Sequence, residues 1–80
     1  MTNSLLQGKF QHAQKELGRR IQALRESSGL TQAQLSKDCG ITVTKLKLIE
    51  AGEAEARLFT VITLAEKLGT TVEDLLRGIE

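Results

Sequence analysis

Cys39 and His12 are the only cysteine and histidine in the chain, and they make up its one conceivable pair of nucleophile and base. Cys39 stands just before Gly40 at what reads as a helix end, which suits a small buried thiol. His12 lies in a polar stretch, Gln11-His12-Ala13-Gln14, and reads as solvated. A single cysteine excludes a disulfide framework within one chain and a Cys-built metal site. It fits a reducing cytosol. Neither a G-x-x-x-x-G-K-[ST] loop nor a G-x-G-x-x-G turn is present. No catalytic residues, cofactor or metal are therefore expected.

The informative constellation lies between Gln32 and Ile49. It reads as two short helices joined through Cys39-Gly40-Ile41. Gly40 permits a sharp left-handed turn. Ser36 is small and lets the two helices approach closely. Leu35, Ile41, Leu46 and Ile49 are apolar and would anchor the pair on other helices. A small residue, a glycine four later and an apolar residue six beyond that form the pattern of a helix-turn-helix.

Such a pair must be held by other elements, and glycines mark where those end. Gly29, Gly40, Gly52, Gly69 and Gly78 each follow a stretch with helical spacing, predicting five short helices. The first reads from about Lys9 or Lys15 to Ser27, with Leu17, Ile21 and Leu24 on one face; Gly18 within it costs about 1 kcal/mol against alanine. The second starts at Thr31, with Gln34 three later as a capping box. The third starts at the N-cap Thr42 and runs to about Glu50. The fourth spans Leu58 to Lys67, with Leu58, Ile62, Ala65 and Leu68 on one face. The fifth starts at Thr71 and turns Val72, Leu75 and Leu76 inward. The expected core is Leu17, Ile21, Leu24, Leu35, Ile41, Leu46, Ile49, Leu58, Ile62, Leu64, Leu68, Val72 and Leu75.

Eighty residues make one domain. Leu, Ile, Val and Phe number 23, above the range of disordered chains. So short a chain buries only about 60 % of its unfolded surface, so oligomerisation would help it. Residues 1–14 read as an N-terminal arm or an extension of helix one, and 15–80 as the domain. The head, Met1 to Gly8, carries Leu5 and Leu6 without a strong cap. It is expected to be mobile or to pack only on a partner. No apolar run reaches the roughly 20 residues of a membrane span, and no signal-peptide core opens the chain. A cytoplasmic protein without membrane contact is expected. No strand pattern is present, so the fold class is all-α, a compact five-helix bundle.

From about Leu17 to Leu76 the chain resembles the phage-repressor-like helix-turn-helix domains, the Cro/C1 or XRE type. The stretches that carry the resemblance are LGRRIQALRESSGLTQAQLS, CGITVTKLKLIEAG and LAEKLGTTVEDLL. The resemblance implies a lambda-repressor-like domain with the helix-turn-helix as helices two and three. It implies that Gln32 contacts a DNA phosphate and braces the recognition helix, in keeping with the preference of a helix N-terminus for an anion. It implies that Thr42, Val43, Thr44, Lys45, Lys47 and Leu48 face the major groove. Arg25 and Glu50 match the family's semi-buried structural ion pair. Departures are also present. Val43 stands where a long polar residue is usual; it can touch a thymine methyl but cannot hydrogen-bond a base. Leu48 replaces a position that is often basic or polar. Glu53 and Glu55 follow Gly52 where a basic residue is common, and would repel phosphates if that loop lay on the backbone. Arg57 is the one cation nearby.

Charge is uneven along a chain of net charge +1. Residues 1–30 carry five cations and two anions, whereas residues 53–80 carry three and six. That asymmetry fits a basic DNA face and an acidic far side. The reading is a sequence-specific DNA-binding transcriptional regulator, a homodimer on a palindromic operator, with Arg57 among its DNA contacts. Helix five, Ile79, Leu76 and Phe59 form the expected dimer surface, unless Phe59 completes the monomer core. A chain of this size resembles restriction–modification controller proteins and small phage or plasmid repressors. Two alternatives stand beside it. One is an antitoxin of the same fold with a toxin partner. The other is a protein-interaction module on a degenerate helix-turn-helix, for which Val43, Leu48, Glu53 and Glu55 argue.

Overall fold

The structure is a computed structural model that describes residues 4–79. Five helices follow one another: α1 (Ser4–Ser27), α2 (Gln32–Cys39), α3 (Val43–Glu50), α4 (Leu58–Lys67) and α5 (Val72–Leu76). No strand occurs among the described residues. None of their helices is long and apolar enough to cross a membrane.

The helix starts follow local chemistry. The hydroxyl oxygens of Thr31, Thr42 and Thr71 accept from the backbone N–H three residues on, each at 3.0 Å. At Thr31 the Gln34 side chain also accepts from the Thr31 N–H at 2.8 Å, closing the capping box. The five glycines read as stops all have positive φ, from 69° to 75°.

α1 departs from expectation at both its start and its middle. It begins at Ser4 rather than at Lys9 or Lys15. Residues 1–3 of the head lie outside the described residues, and residues 4–8 are the first residues of α1. Once a helix is nucleated, adding turns costs little, and no proline stops it. Gly18 is not simply a weak point. A Cβ there would lie 2.7 Å from the Glu50 carbonyl oxygen and closer still to that of Ile49. Its bare Cα lets α1 cross the end of α3 in backbone contact.

The core gathers on Ile21, Leu35, Leu46, Ile49, Leu64 and Leu75, with Val61, Ala65 and Leu68 beside them. Leu17, Leu24, Leu30, Ile41 and Val72 pack against it half-buried. Three residues read as inward are on the surface instead: Leu58 at 66 %, Ile62 at 40 % and Leu76 at 42 % exposure. α4 is apolar on two adjacent stripes. Leu58 and Ile62 form one, and Val61, Leu64, Ala65 and Leu68 the other. Packing on α2 and α5 takes the second stripe and rotates the first outward. Phe59, 79 % exposed, plays no part in the monomer core.

Arg20 fastens the end of α5 to α1. Its guanidinium donates to the carbonyls of Leu75 at 3.0 Å and Arg77 at 2.6 Å, and to Glu16 at 3.1 Å. Hydrogen bonds from Arg19 and Arg20 hold the Glu16 carboxyl down at about 2.

Candidate nucleic-acid interface

The turn between α2 and α3 is set by Gly40, at φ 69° and ψ 29°. That left-handed conformation suits a residue without Cβ. It lets the Gly40 N–H donate to the Lys37 carbonyl at 3.2 Å and the Ile41 N–H to that of Ser36 at 3.0 Å. Ser36 is buried, and its hydroxyl donates to the Ala33 carbonyl at 3.0 Å. A larger polar side chain there would hold the two helices apart.

α3 has two faces. Leu46, Ile49 and Glu50 are buried. Thr42, Thr44, Lys47 and Leu48 are exposed, while Val43 and Lys45 are half-buried at the edges. Lys45, Lys47 and Arg57 enter no ion pair among the described residues, where the bridges are Arg19 and Arg20 to Glu16, Arg25 to Glu50, and Arg77 to Glu73 and Asp74. Three cations near α3 therefore remain available to an anion. Thr42, Lys45, Arg57 and Thr60 line one cleft of about 440 Å³ between the start of α3 and the start of α4. Arg57 is the N-cap of α4 and makes no side-chain cap. The first N–H groups of that helix lack a side-chain acceptor from this position, which favours negative charge there.

Glu50 anchors α3 from beneath. Its carboxylate accepts from Arg25 Nε at 2.7 Å and Nη2 at 3.1 Å, and from Gln32 Nε2 at 2.9 Å. Arg25 also donates to the Leu30 carbonyl at 2.8 Å. The Arg25 and Glu50 side chains are only 11 % and 3 % exposed. Hydrogen bonding to Glu50 holds the Arg25 guanidinium above its ordinary range. One buried carboxylate thus joins α1, the start of α2 and the end of α3. The resemblance implied that Gln32 braces helix three, and the bond to Glu50 at the end of α3 is such a brace; its partner was not named from the sequence. An amide nitrogen has two hydrogens, so the bond to Glu50 leaves one for another acceptor.

Cys39 is half-buried against the core, and burial pushes its thiol up. A raised thiol is a poor nucleophile at neutral pH. Among the described residues no three His, Cys, Asp or Glu side chains gather as a metal site. Glu55 lines a different groove, beside Phe10 and Leu76, and not the Lys45–Arg57 cleft.

A sequence profile described as a helix-turn-helix domain matches residues 16–77. The chain belongs to the helix-turn-helix domain family. Its XRE-type character, read from the three motif stretches, is matched by solved structures of the same fold. The restriction-modification controller protein C.AhdI from Aeromonas hydrophila superposes with a TM-score of 0.73 at 26 % identity, over 76 % of this chain and 92 % of that one. The hypothetical transcription factor NHTF from Neisseria gives 0.76 at 24 % identity, over 84 % and 77 %. The SinR protein/SinI protein complex gives 0.73 at 22 % identity, over 78 % and 61 %. No curated protein sequence matches the chain significantly. The part of α1 before residue 16 lies outside the helix-turn-helix profile.

Proposed function

We propose that this helix-turn-helix domain is a sequence-specific DNA-binding transcription regulator that acts in the cytoplasm as a homodimer on a palindromic operator. The observation that carries the reading is α3 itself. It turns Thr44, Lys47 and Leu48 to solvent on the face opposite Leu46, Ile49 and Glu50. A helix exposed on one side and locked on the other can enter a major groove without deforming. Thr44, Lys47 and Val43 read base edges. Gln32, Thr42, Lys45 and Arg57 hold phosphates, and the cleft shared by Thr42, Lys45 and Arg57 supports that division. The exposed Phe59 and Leu76 support a protein–protein surface on the side of α4 and α5.

Binding to a selected duplex and to random DNA separates these roles. Thr44→Ala and Lys47→Ala cost about 1–3 kcal/mol on the selected site and little on random sequence. Lys45→Ala and Arg57→Ala weaken both alike and lower the salt slope by about one. If none of the four changes either affinity, α3 is not the reader. The exposed Leu58, Phe59 and Ile62 then favour the second reading, an interaction module or antitoxin that meets a protein partner through α4.

A further inference from the structure

We propose that the N-terminal extension of α1 docks on a second copy of this chain, the Phe10 ring of each copy entering a groove on the other. The inference rests on the homodimer reading above and adds to it a contact made by the part of α1 that precedes the helix-turn-helix profile.

The groove measures about 270 Å³ and runs between α1 and the end of α5. Phe10, Ala13 and Leu17 form one wall, and Ala56, Leu76 and Ile79 the other. The first three recur at helical spacing, so they lie on one face of α1. Phe10 stands 58 % exposed and Leu76 42 % exposed, so the groove's own chain leaves both partly uncovered. Residues 7–12 are exposed on every side of the helix. Turns without packing gain little from propensity alone. A partner surface would supply what the monomer lacks.

Charge identifies the occupant. No acidic residue occurs before Glu16, and Lys9 stands exposed on the extension. Glu55 lies at the groove's far rim and Glu53 close by in the chain, both exposed. None of Lys9, Glu53 and Glu55 has an ion-pair partner among the described residues. A two-fold axis makes such a surface self-complementary, since each copy offers both a basic extension and an acidic rim. Lys9 of one copy then faces Glu55 of the other while the two Phe10 rings fill the grooves. A DNA backbone is the poorer occupant, because Glu53 and Glu55 would repel it and the groove walls are apolar.

Sedimentation equilibrium of the full chain tests this, with circular dichroism to confirm folding. Phe10→Glu is expected to weaken self-association at least about tenfold, the scale of one lost apolar anchor. It should leave the thermal midpoint of the diluted monomer unchanged, because the ring is exposed. Lys9→Glu is expected to weaken association, and Lys9→Glu combined with Glu55→Lys to restore it. The inference is overturned if the wild type dimerises and Phe10→Glu leaves the constant unchanged while Phe59→Glu abolishes it. That result keeps the homodimer and moves its interface to α4. A wild type that stays monomeric at every soluble concentration removes the homodimer reading as well. Unchanged association with loss of DNA affinity in Lys9→Glu also overturns it and assigns the extension to DNA.

Discussion

Glu50→Ala lowers the stability of the chain by about 3–5 kcal/mol, the usual cost of leaving one partner of a buried ion pair alone. The carboxylate is 3 % exposed and accepts from two nitrogens of Arg25 and one of Gln32. Its removal leaves Arg25 in a site only 11 % exposed, with the Leu30 carbonyl as its remaining acceptor. Each kcal/mol moves the thermal midpoint of so small a domain by about 4–8 °C. Glu50→Gln keeps the shape but loses the charge and sets an amide NH2 against the N–H donors of Arg25 or Gln32, so most of the cost remains. The double variant with Arg25→Met costs less than the two single changes added, because no charge is then stranded. Full additivity, or a loss of less than about 1 kcal/mol for Glu50→Ala, would show a pair that is solvated in solution and no stronger than a surface bridge.

Gly18→Ala and Gly8→Ala are the same substitution in the same helix, and they have opposite signs. At Gly8 nothing lies within 4 Å of a new Cβ. Alanine there gains up to about 1 kcal/mol of helix propensity, less whatever fraying at the helix start removes. At Gly18 the Cβ meets the Glu50 carbonyl oxygen at 2.7 Å, its carbon at 2.9 Å, and the Ile49 carbonyl more closely still. These are backbone atoms at the end of α3 and cannot swing aside as a flexible side chain would. The same propensity gain is therefore outweighed by overpacking, which costs about 1–3 kcal/mol and more where backbone must move. Opening the α1–α3 contact also pulls Arg25 from Glu50, which deepens the fall in melting temperature. A Gly18→Ala chain that melts above wild type would show that α1 and α3 do not approach this closely.

The two variants mark where local chemistry stops deciding. Sequence determined the helix boundaries on the C-terminal side of Ser27. Thr31, Thr42 and Thr71 cap by hydrogen bonds three residues long, and Gly40 turns the chain by its own backbone freedom, so neighbours in sequence contain the whole cause. The helix-turn-helix was legible for the same reason, and so was the exposed face of α3, because Leu46 and Ile49 fix its rotation.

Contacts between distant segments decided the rest. α4 carries apolar residues on two adjacent stripes, and periodicity cannot rank them. Packing on α2 and α5 buried Val61 and Leu64 and left Leu58, Phe59 and Ile62 outside. Gly18 carries a propensity cost in any helix, and only the crossing of α3 gives it a use. Arg20 finds its acceptors 55 and 57 residues away on backbone carbonyls, which carry no sequence mark. Gln32 reaches Glu50 across 18 residues. Propensity and capping act over one helical turn, whereas burial and hydrogen bonding between helices depend on which faces meet, and that is settled only when the whole chain has packed.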